Sequence, residues 1–359
     1  MELTFQPYEL EFKFNAGTSR GILKEKITNI IKISDVQSGG YGLGEAGPLK
    51  GLSIDDRDDL PDFLETVKQK AIPLTVPDNE KEIYEIAEEL AGHDFPSVRF
   101  ALETAMLDLK HGGQRIIFQN DFSDGKEKIP INGLIWMGHM EDMLFQITEK
   151  VNAGFDCIKM KVGSLDFDKE CDILHYIRNK YYEQDITIRV DANGAFKPDD
   201  VKDKLERLSK FDLHSIEQPI KPGQYELMAE LCKNSPLKIA LDEELIGIWQ
   251  KHKKRELLEK IKPPYIILKP TLLGGIKATQ EWIDLANEMK IGWWLTSALE
   301  SNIGLNAISQ YAGELKVENY QGLGTGQLYH NNFESPLRIT KGHIEYKGND
   351  WDFSNLDIV

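Results

Sequence analysis

The chain has 359 residues, 41% hydrophobic and 28% charged, a composition that suits a globular barrel of about 250 residues with an added domain. Its formal net charge of −16 argues against nucleic acid or an anionic membrane surface as the main partner, because either would require a basic field. The cysteines Cys157, Cys171 and Cys232 match no zinc motif and cannot form a disulfide framework. Because residues 1–14 lack a signal-peptide pattern and no apolar run could span a membrane, we expect a cytoplasmic protein.

Residues 1–125 predict an α+β domain. Two antiparallel strands are expected in LTFQPYELEF and KEKITNIIKISDV, joined by the turn-rich NAGTSRG, and a glycine-rich loop is expected in GGYGLGEAGPLKGLS. Apolar residues at helical spacing predict three helices, near residues 60–70, 79–91 and 96–111. The polar segment GGQRIIFQNDFSDGKEK follows, and we place the domain boundary there, between residues 125 and 126.

Residues 126–334 alternate between short apolar segments and helical segments. The strand candidates are PINGLIWM, FDCIKMKV, ITIRVDA, LHSIEQP, KIALDEE, YIILKP, GWWLTSA and YQGLGTG. Eight strands alternating with helices predict an α/β fold of the (β/α)8, TIM-like type, in which the eighth helix has the weakest pattern. Residues 335–359 are expected to return as extended chain to the first domain.

Charged side chains end five successive predicted strands. They are Lys161, Asp191, Glu217, Asp242 and Lys269. Their spacing of roughly 25 to 30 residues matches one strand, one helix and two loops. Because the carboxyl ends of the strands of a parallel barrel meet at one mouth, where such barrels do their chemistry, these side chains should converge there.

Lys159 and Lys161 are two residues apart on the second predicted strand, so both point to the same face. Burial under the outer helices would be costly for two charges, and we therefore expect both lysines in the barrel lumen. Two ammonium groups this close should lower each other's pKa, which would provide a base near neutral pH. The alternative is a pair of solvated lysines at the strand edge.

Asp191, Glu217 and Asp242 would repel one another inside the lumen unless a cation lay between them. Ligation by oxygen alone, without histidine or cysteine at matching positions, favours Mg2+, with Mn2+ as a substitute. The alternative is that one of the three caps a helix. Lys269, on the sixth strand, should lie roughly across the barrel from the second. A base, a metal and an opposed cation together suit removal of a proton from the carbon beside a carboxylate.

Jointly these motifs resemble the enolase superfamily, in the subgroup of muconate-lactonising-type enzymes, over nearly the whole chain. The resemblance implies that Lys161 is the base, that Lys159 modulates its pKa, and that Lys269 is the opposite acid/base or electrostatic partner. It also implies three ligands for Mg2+, namely Asp191, Glu217 and Asp242.

The segments NAGTSRGIL, FPSVRFALETAMLDL and INGLIWMG resemble the o-succinylbenzoate synthases of the menaquinone pathway, particularly those of the Bacteroidetes type. This resemblance implies a lyase that dehydrates 2-succinyl-6-hydroxy-2,4-cyclohexadiene-1-carboxylate, with Lys161 taking the proton beside the ring carboxylate. The eighth strand carries GLGTG where dipeptide epimerases carry a D-x-D motif, which argues against a dipeptide substrate.

Four further residues are candidates for substrate binding. Ser19 and Arg20 lie in a glycine-flanked loop that could close over the barrel mouth, where Arg20 could meet a succinyl carboxylate. A solvated hairpin turn is the alternative. Asn193 and Ser297 follow strand ends and could donate to substrate oxygens.

Two other functions stay open. A racemase of N-succinylamino acids, or another epimerase or cycloisomerase, would need the same proton abstraction. A non-catalytic binding protein on this scaffold is the alternative of another class, although such a protein would not require the lysines and carboxylates. The expected partner is an anionic small-molecule carboxylate, and an oligomer is compatible with the sequence.

Overall fold

The N-terminal domain is an antiparallel sheet packed against helices. The computed structural model describes residues 1–18, 21–35, 39–163 and 166–359. Strands β1 (Glu2–Thr18), β2 (Gly21–Ser34) and β3 (Tyr41–Ala46) form the sheet in that order. The helices are α1 (Leu60–Ala71), α2 (Glu80–Ala91) and α3 (Pro96–Lys110). Their bounds agree with the predicted helices within about two residues.

Strand β3 occupies part of the segment predicted as a glycine-rich loop, so that prediction was wrong. The glycines here allow close packing. A Cβ on Gly42 would lie 1.9 Å from the carbonyl oxygen of Ala105, and one on Gly44 would lie 2.0 Å from that of Ala101. Both carbonyls belong to α3, so the strand lies directly against the helix backbone. A glycine that permits close approach has the same sequence signature as one in a turn.

The barrel consists of parallel strands that alternate with helices. Strand β4 (Lys128–Pro130) comes first in the chain and pairs outside the barrel sheet. In chain order the barrel elements are β5 (Gly133–Ile135), α4 (Met140–Asn152), β6 (Cys157–Lys161), α5 (Phe167–Lys180), β7 (Thr187–Asp191), α6 (Val201–Leu208), β8 (Ser215–Glu217), α7 (Tyr225–Asn234), β9 (Ile239–Leu241), α8 (Lys251–Ile261), β10 (Tyr265–Leu268), α9 (Pro270–Leu273), α10 (Gly275–Met289), β11 (Gly292–Leu295) and α11 (Asn302–Glu314). Strands β5 to β11 form one sheet in chain order. The predicted α/β barrel with an N-terminal α+β domain is confirmed.

The eighth predicted strand is present as isolated bridges. Gln321 bridges to Ile131 and Gly322 bridges to Thr296, both in parallel. These two residues therefore join the first predicted barrel strand, PINGLIWM, to the seventh, GWWLTSA. The Gln321 side chain accepts a hydrogen bond from the amide of Leu295 at 2.7 Å, in place of a longer backbone ladder. Residues 315–336, all of which are described, contain no helix.

The C-terminal segment contacts both parts of the molecule. Strands β12 (Leu337–Thr340) and β13 (His343–Tyr346) form a hairpin, and β13 pairs with β4. Further along, Leu356 packs with Ile30 and Leu43 of the first domain. The exact division of the chain into domains stays a prediction. No helix in the described parts of the chain combines the length and apolarity needed to cross a membrane.

Candidate active site

The strand register brings the predicted charges into one row at the barrel mouth. Lys161 lies opposite Asp191, and Asp191 lies opposite Glu217, on the neighbouring strands β6, β7 and β8. Asp242 and Lys269 come one residue after the ends of β9 and β10. Parallel strands carry these residues to the same end of the barrel, and the three lysines are all more than nine-tenths buried.

Buried ion pairs link the lysines to the carboxylates. Lys159 Nζ lies 3.0 Å from Asp191 Oδ2 and 2.5 Å from Glu217 Oε2. Lys161 Nζ lies 3.2 Å from the same Asp191 oxygen. Lys269 Nζ contacts Asp242 Oδ2. Three carboxylates in one lumen were expected to need a cation between them, and in this structure three ammonium groups lie against these carboxylates.

The pKa of Lys159 is shifted in the direction opposite to the sequence expectation. Burial lowers its pKa, but the nearby charges of Asp191 and Glu217 more than offset that effect, so the pKa of Lys159 is raised above its ordinary value. The expected lowering by a second lysine was therefore wrong for this residue. Two carboxylates within 3.0 Å of the ammonium outweigh one ammonium further along the strand.

The carboxylates fit a divalent cation by their chemistry. Burial raises the pKa of Asp191, but Lys159 and Lys161 more than offset it and hold that pKa well below its usual range. Burial and the charge of Asp191 raise the pKa of Glu217. Glu217 Oε1 is buried and has no hydrogen-bond partner among the described residues, so one carboxylate oxygen still lacks a donor or cation.

The carboxylates do not form a closed metal cage as they stand. No group of three or more acidic, histidine or cysteine side chains in the described ranges converges in the way a bound metal requires. The reason is visible in the ion pairs, since each carboxylate turns an oxygen toward a lysine. The donor set of three oxygen ligands nevertheless suits a hard cation.

Lys161 is oriented from a second side by Asn193. Its Nζ donates to Asn193 Oδ1 at 2.7 Å, and Asn193 Nδ2 donates to Glu243 Oε1 at 3.0 Å. The amide of Asn193 donates to Asp191 Oδ1 at 3.0 Å. Asn193 has a φ of 43°, in the left-handed region that asparagine tolerates better than most residues. Asn193 therefore holds Lys161 in place from the loop that follows β7.

A single cavity of about 370 Å³ gathers most of the predicted site residues. Its lining includes Lys159, Lys161, Asp191, Asn193, Lys269 and Ser297. Glu217 and Asp242 each contact one of these lysines. Ser297 Oγ accepts hydrogen bonds from Thr325 Oγ1 and from the amide of Leu299. Ser19 and Arg20 lie outside the described residues.

The cavity also contains residues that the sequence reasoning missed. Its apolar lining includes Leu23, Leu49, Leu134, Trp136 and Leu299, and its further polar lining includes Lys50, Asn132, Thr296 and Thr325. Among the described lining residues, Lys50 is the cation with no carboxylate at ion-pairing distance, and it is exposed. The one sequence feature that could have pointed to Lys50 was its position in a glycine-flanked turn, GPLKG. The apolar residues carried no signal that distinguished them from core.

The chain belongs to the enolase superfamily: residues 142–348 match the family described as Enolase C-terminal domain-like. The chain is also 45% identical to the o-succinylbenzoate synthase of Desulfotalea psychrophila, over 95% of this chain and 98% of that protein. The crystal structure of MenC from Desulfotalea psychrophila LSv54 has a TM-score of 0.85 and 42% identity, and the match covers 96% of this chain and 99% of that chain.

A more distant structure shows the fold alone. The dipeptide epimerase from Enterococcus faecalis V583, solved in complex with Mg and the dipeptide L-Leu-L-Tyr, is 21% identical. Its TM-score is 0.82, with 98% of both chains covered. The family match and the similarity to the Desulfotalea psychrophila protein confirm the predicted resemblance to the enolase superfamily.

Proposed function

We propose that this protein is a lyase that carries out the syn dehydration of 2-succinyl-6-hydroxy-2,4-cyclohexadiene-1-carboxylate to 2-succinylbenzoate, in menaquinone biosynthesis. The observation that carries the proposal is the convergence of Lys159, Lys161 and Lys269 with Asp191 on one cavity. The near full-length similarity to an o-succinylbenzoate synthase supports this substrate.

Lys161 acts as the base in this proposal. In its neutral form its Nζ takes the proton from the ring carbon beside the carboxylate, and the electron pair moves into that carboxylate. The carbon–oxygen bond at the neighbouring ring carbon then breaks. Lys161 returns its proton to the departing hydroxide, which leaves as water, and the ring becomes aromatic. Asn193 and Asp191 hold Nζ during both transfers.

Members of this superfamily bind a divalent metal ion, and we propose Mg2+ for this chain, with Mn2+ as a substitute. Its ligands would be Asp191, Glu217 and Asp242, and the unpartnered Glu217 oxygen supports the assignment. When bound, the ion would stabilise the negative charge that develops on the substrate carboxylate. With Lys161 neutral, the ammonium groups of Lys159 and Lys269 balance two of the three carboxylates, so a bound divalent ion would leave these groups with a net positive charge that suits an anionic substrate.

Two lysines suit the rest of the substrate. Lys269 is proposed to lie over the ring, where its charge favours electron-rich π density. Lys50 is proposed to meet the succinyl carboxylate, because it lines the cavity and its ammonium has no carboxylate partner among the described residues. The predicted contribution of Ser19 and Arg20 stays a prediction.

The three cysteines are free thiols, as expected for the proposed cytoplasmic location.

A racemase or epimerase acting on N-succinylamino acids is the second candidate. The specific observation in its favour is that Lys161 and Lys269 line the same cavity, since two lysines can exchange protons on opposite faces of one carbon. A non-catalytic binding protein is a poor fit, because burying three lysines with three carboxylates carries a desolvation penalty that binding alone does not require.

Parallel incubations test the choice between the candidates. The purified protein with Mg2+ is given the cyclohexadiene substrate in one reaction and N-succinylamino acids in the other. We expect 2-succinylbenzoate to form, with a high kcat/KM, in the first. Racemisation without dehydration would replace the substrate and keep Lys161 as the base. Neither activity, with Mg2+ bound, would contradict the proposed function.

A further inference from the structure

The turn that follows β11 forms one wall of the cavity and has an unfavourable backbone conformation. Ser297, Ala298 and Leu299 all line the cavity. Leu299 has a φ of 63°, in the left-handed region that a leucine rarely adopts, because its Cβ approaches the carbonyl oxygen too closely. A residue keeps such a conformation only when the surrounding structure fixes it. Whatever holds this turn therefore shapes the cavity.

Hydrogen bonds fix the backbone of Leu299 on both sides. Lys26 Nζ donates to the carbonyl oxygens of Ala298 and Leu299, each at 3.0 Å. The hydroxyl of Tyr329 donates to the same Leu299 oxygen at 2.7 Å. The Leu299 amide donates to Ser297 Oγ at 2.9 Å. Lys26 is the one charged donor to the turn among the described residues, and it bridges two consecutive carbonyls.

The side chain of Lys26 is closely enclosed by its surroundings. The residue is 6% exposed and belongs to β2, in the N-terminal domain. Burial lowers the pKa of Lys26, and the nearby charges of Glu300 and Glu45 offset only part of that effect. Gly47 leaves room for the group, because a Cβ at that position would lie 2.9 Å from Lys26 Nζ. A buried charge with these partners is expensive to desolvate, so a purely apolar packing role does not explain it.

We propose that Lys26 is a positioning residue that holds Leu299 in its left-handed conformation and thereby sets the shape and the substrate selectivity of this cavity wall. Lys26 comes from the N-terminal domain and the turn comes from the barrel, so the same contact links the placement of that domain to the site. The inference rests on the proposed function only for the choice of assay substrate.

A matched pair of variants tests the proposal. Lys26→Met removes the ammonium and keeps an unbranched side chain. Lys254→Met is the control, because Lys254 is buried as well and lies away from the cavity lining, where its Nζ donates to the carbonyl oxygen of Ala278 at 3.0 Å and to Glu281 Oε2 at 2.8 Å. We expect Lys26→Met to raise KM about tenfold with kcat within about threefold, the pattern of lost binding without lost chemistry. The control should lose stability and keep both constants.

Amide hydrogen exchange gives a readout that needs no substrate. The Leu299 amide should exchange faster in Lys26→Met and at the parent rate in Lys254→Met, each corrected for global stability. If the parent shows no dehydration, the proposed function fails while this measurement still decides the role of Lys26. Unchanged exchange at Leu299 together with an unchanged KM would overturn the proposal.

A double-mutant cycle separates action through the turn from a general effect. Leu299→Gly removes the steric strain of the positive φ, so the turn no longer depends on the ammonium. In that background Lys26→Met should change KM by less than about twofold. An equally large change in both backgrounds would contradict the proposal. If Lys26→Met does not fold, Gly47→Ala replaces it in the cycle, because its new Cβ would displace Nζ.

Discussion

Lys159 and Lys161 share one oxygen of Asp191: the Lys159 ammonium lies 3.0 Å from Oδ2 and the Lys161 ammonium 3.2 Å from it. Lys159 has a second carboxylate in Glu217, whereas Lys161 has the neutral amide oxygen of Asn193 as its other acceptor. The two lysines are therefore electrostatically unequal although they occupy one strand face. Lys161 therefore has one carboxylate partner fewer than Lys159.

Lys161→Ala should lower kcat by several powers of ten, each equivalent to about 1.4 kcal/mol of barrier, because the base for the bond-breaking step is removed. Lys269→Ala is the matched variant, and it should also be slow. The two are separated in deuterated water. Lys269→Ala should still exchange the substrate α-proton slowly, whereas Lys161→Ala should not. Near-normal dehydration by Lys161→Ala would exclude this mechanism.

Asp242→Asn should weaken Mg2+ binding and abolish activity, since it removes a charged ligand and keeps the side-chain shape. Loss of the partner of buried Lys269 should also lower the free energy of unfolding, by up to about 3–5 kcal/mol. Asp108→Asn is the control, because Asp108 is fully buried and pairs with Arg115 at 3.0 Å, in the N-terminal domain. It should lose stability and keep its Mg2+ affinity by calorimetric titration. Equal Mg2+ affinity in Asp242→Asn and the parent would refute the assignment.

Lys50→Met should raise KM for the dianionic substrate about tenfold and leave kcat nearly unchanged, because the charge acts on a carboxylate remote from the reacting bond. The effect should shrink as salt is added, since the ammonium is exposed. Lys24→Met, which removes an exposed lysine that does not line the cavity, is the control. Identical kinetics in the two variants would show that Lys50 does not contact the substrate.

His214 should make the protein less stable in acid. Burial, and then the charges of Arg189 and Lys238, lower the pKa of His214 to about 4 from 6.5. The folded state therefore prefers the neutral ring, so its contribution is present above pH 6.5 and is lost as the pH falls through about 4. After allowance for partial exposure, the loss should be about 1–2 kcal/mol.

The variant for this prediction is His214→Phe, which keeps an aromatic ring against Tyr265, where the centroids are 4.9 Å apart. Urea unfolding between pH 7 and pH 4 should show a smaller decrease in stability for the variant than for the parent. His252→Phe, at an exposed position on α8, is the control and should behave as the parent does. Parallel curves for His214→Phe and the parent would contradict the assigned cause.

The sequence alone determined that the chain forms a barrel and which charged residues lie at its mouth. Strand period places Lys159 and Lys161 on one face, and the βα spacing carries Asp191, Glu217 and Asp242 to the same mouth. Both are local properties of the chain, so they can be read without knowing which distant residues meet. The domain limits and the metal ligands remain predictions of that reading.

Only the tertiary structure decided which groups neutralise one another and what surrounds them. The pairing of Lys159 with two carboxylates reversed the expected direction of its pKa shift, because a through-space distance set the outcome. Gly42 and Gly44 look like loop residues until α3 is placed against them. Lys26 and Leu299 are separated by more than 270 positions along the chain, and their contact has no local signature, since it arises from the packing of one domain on another.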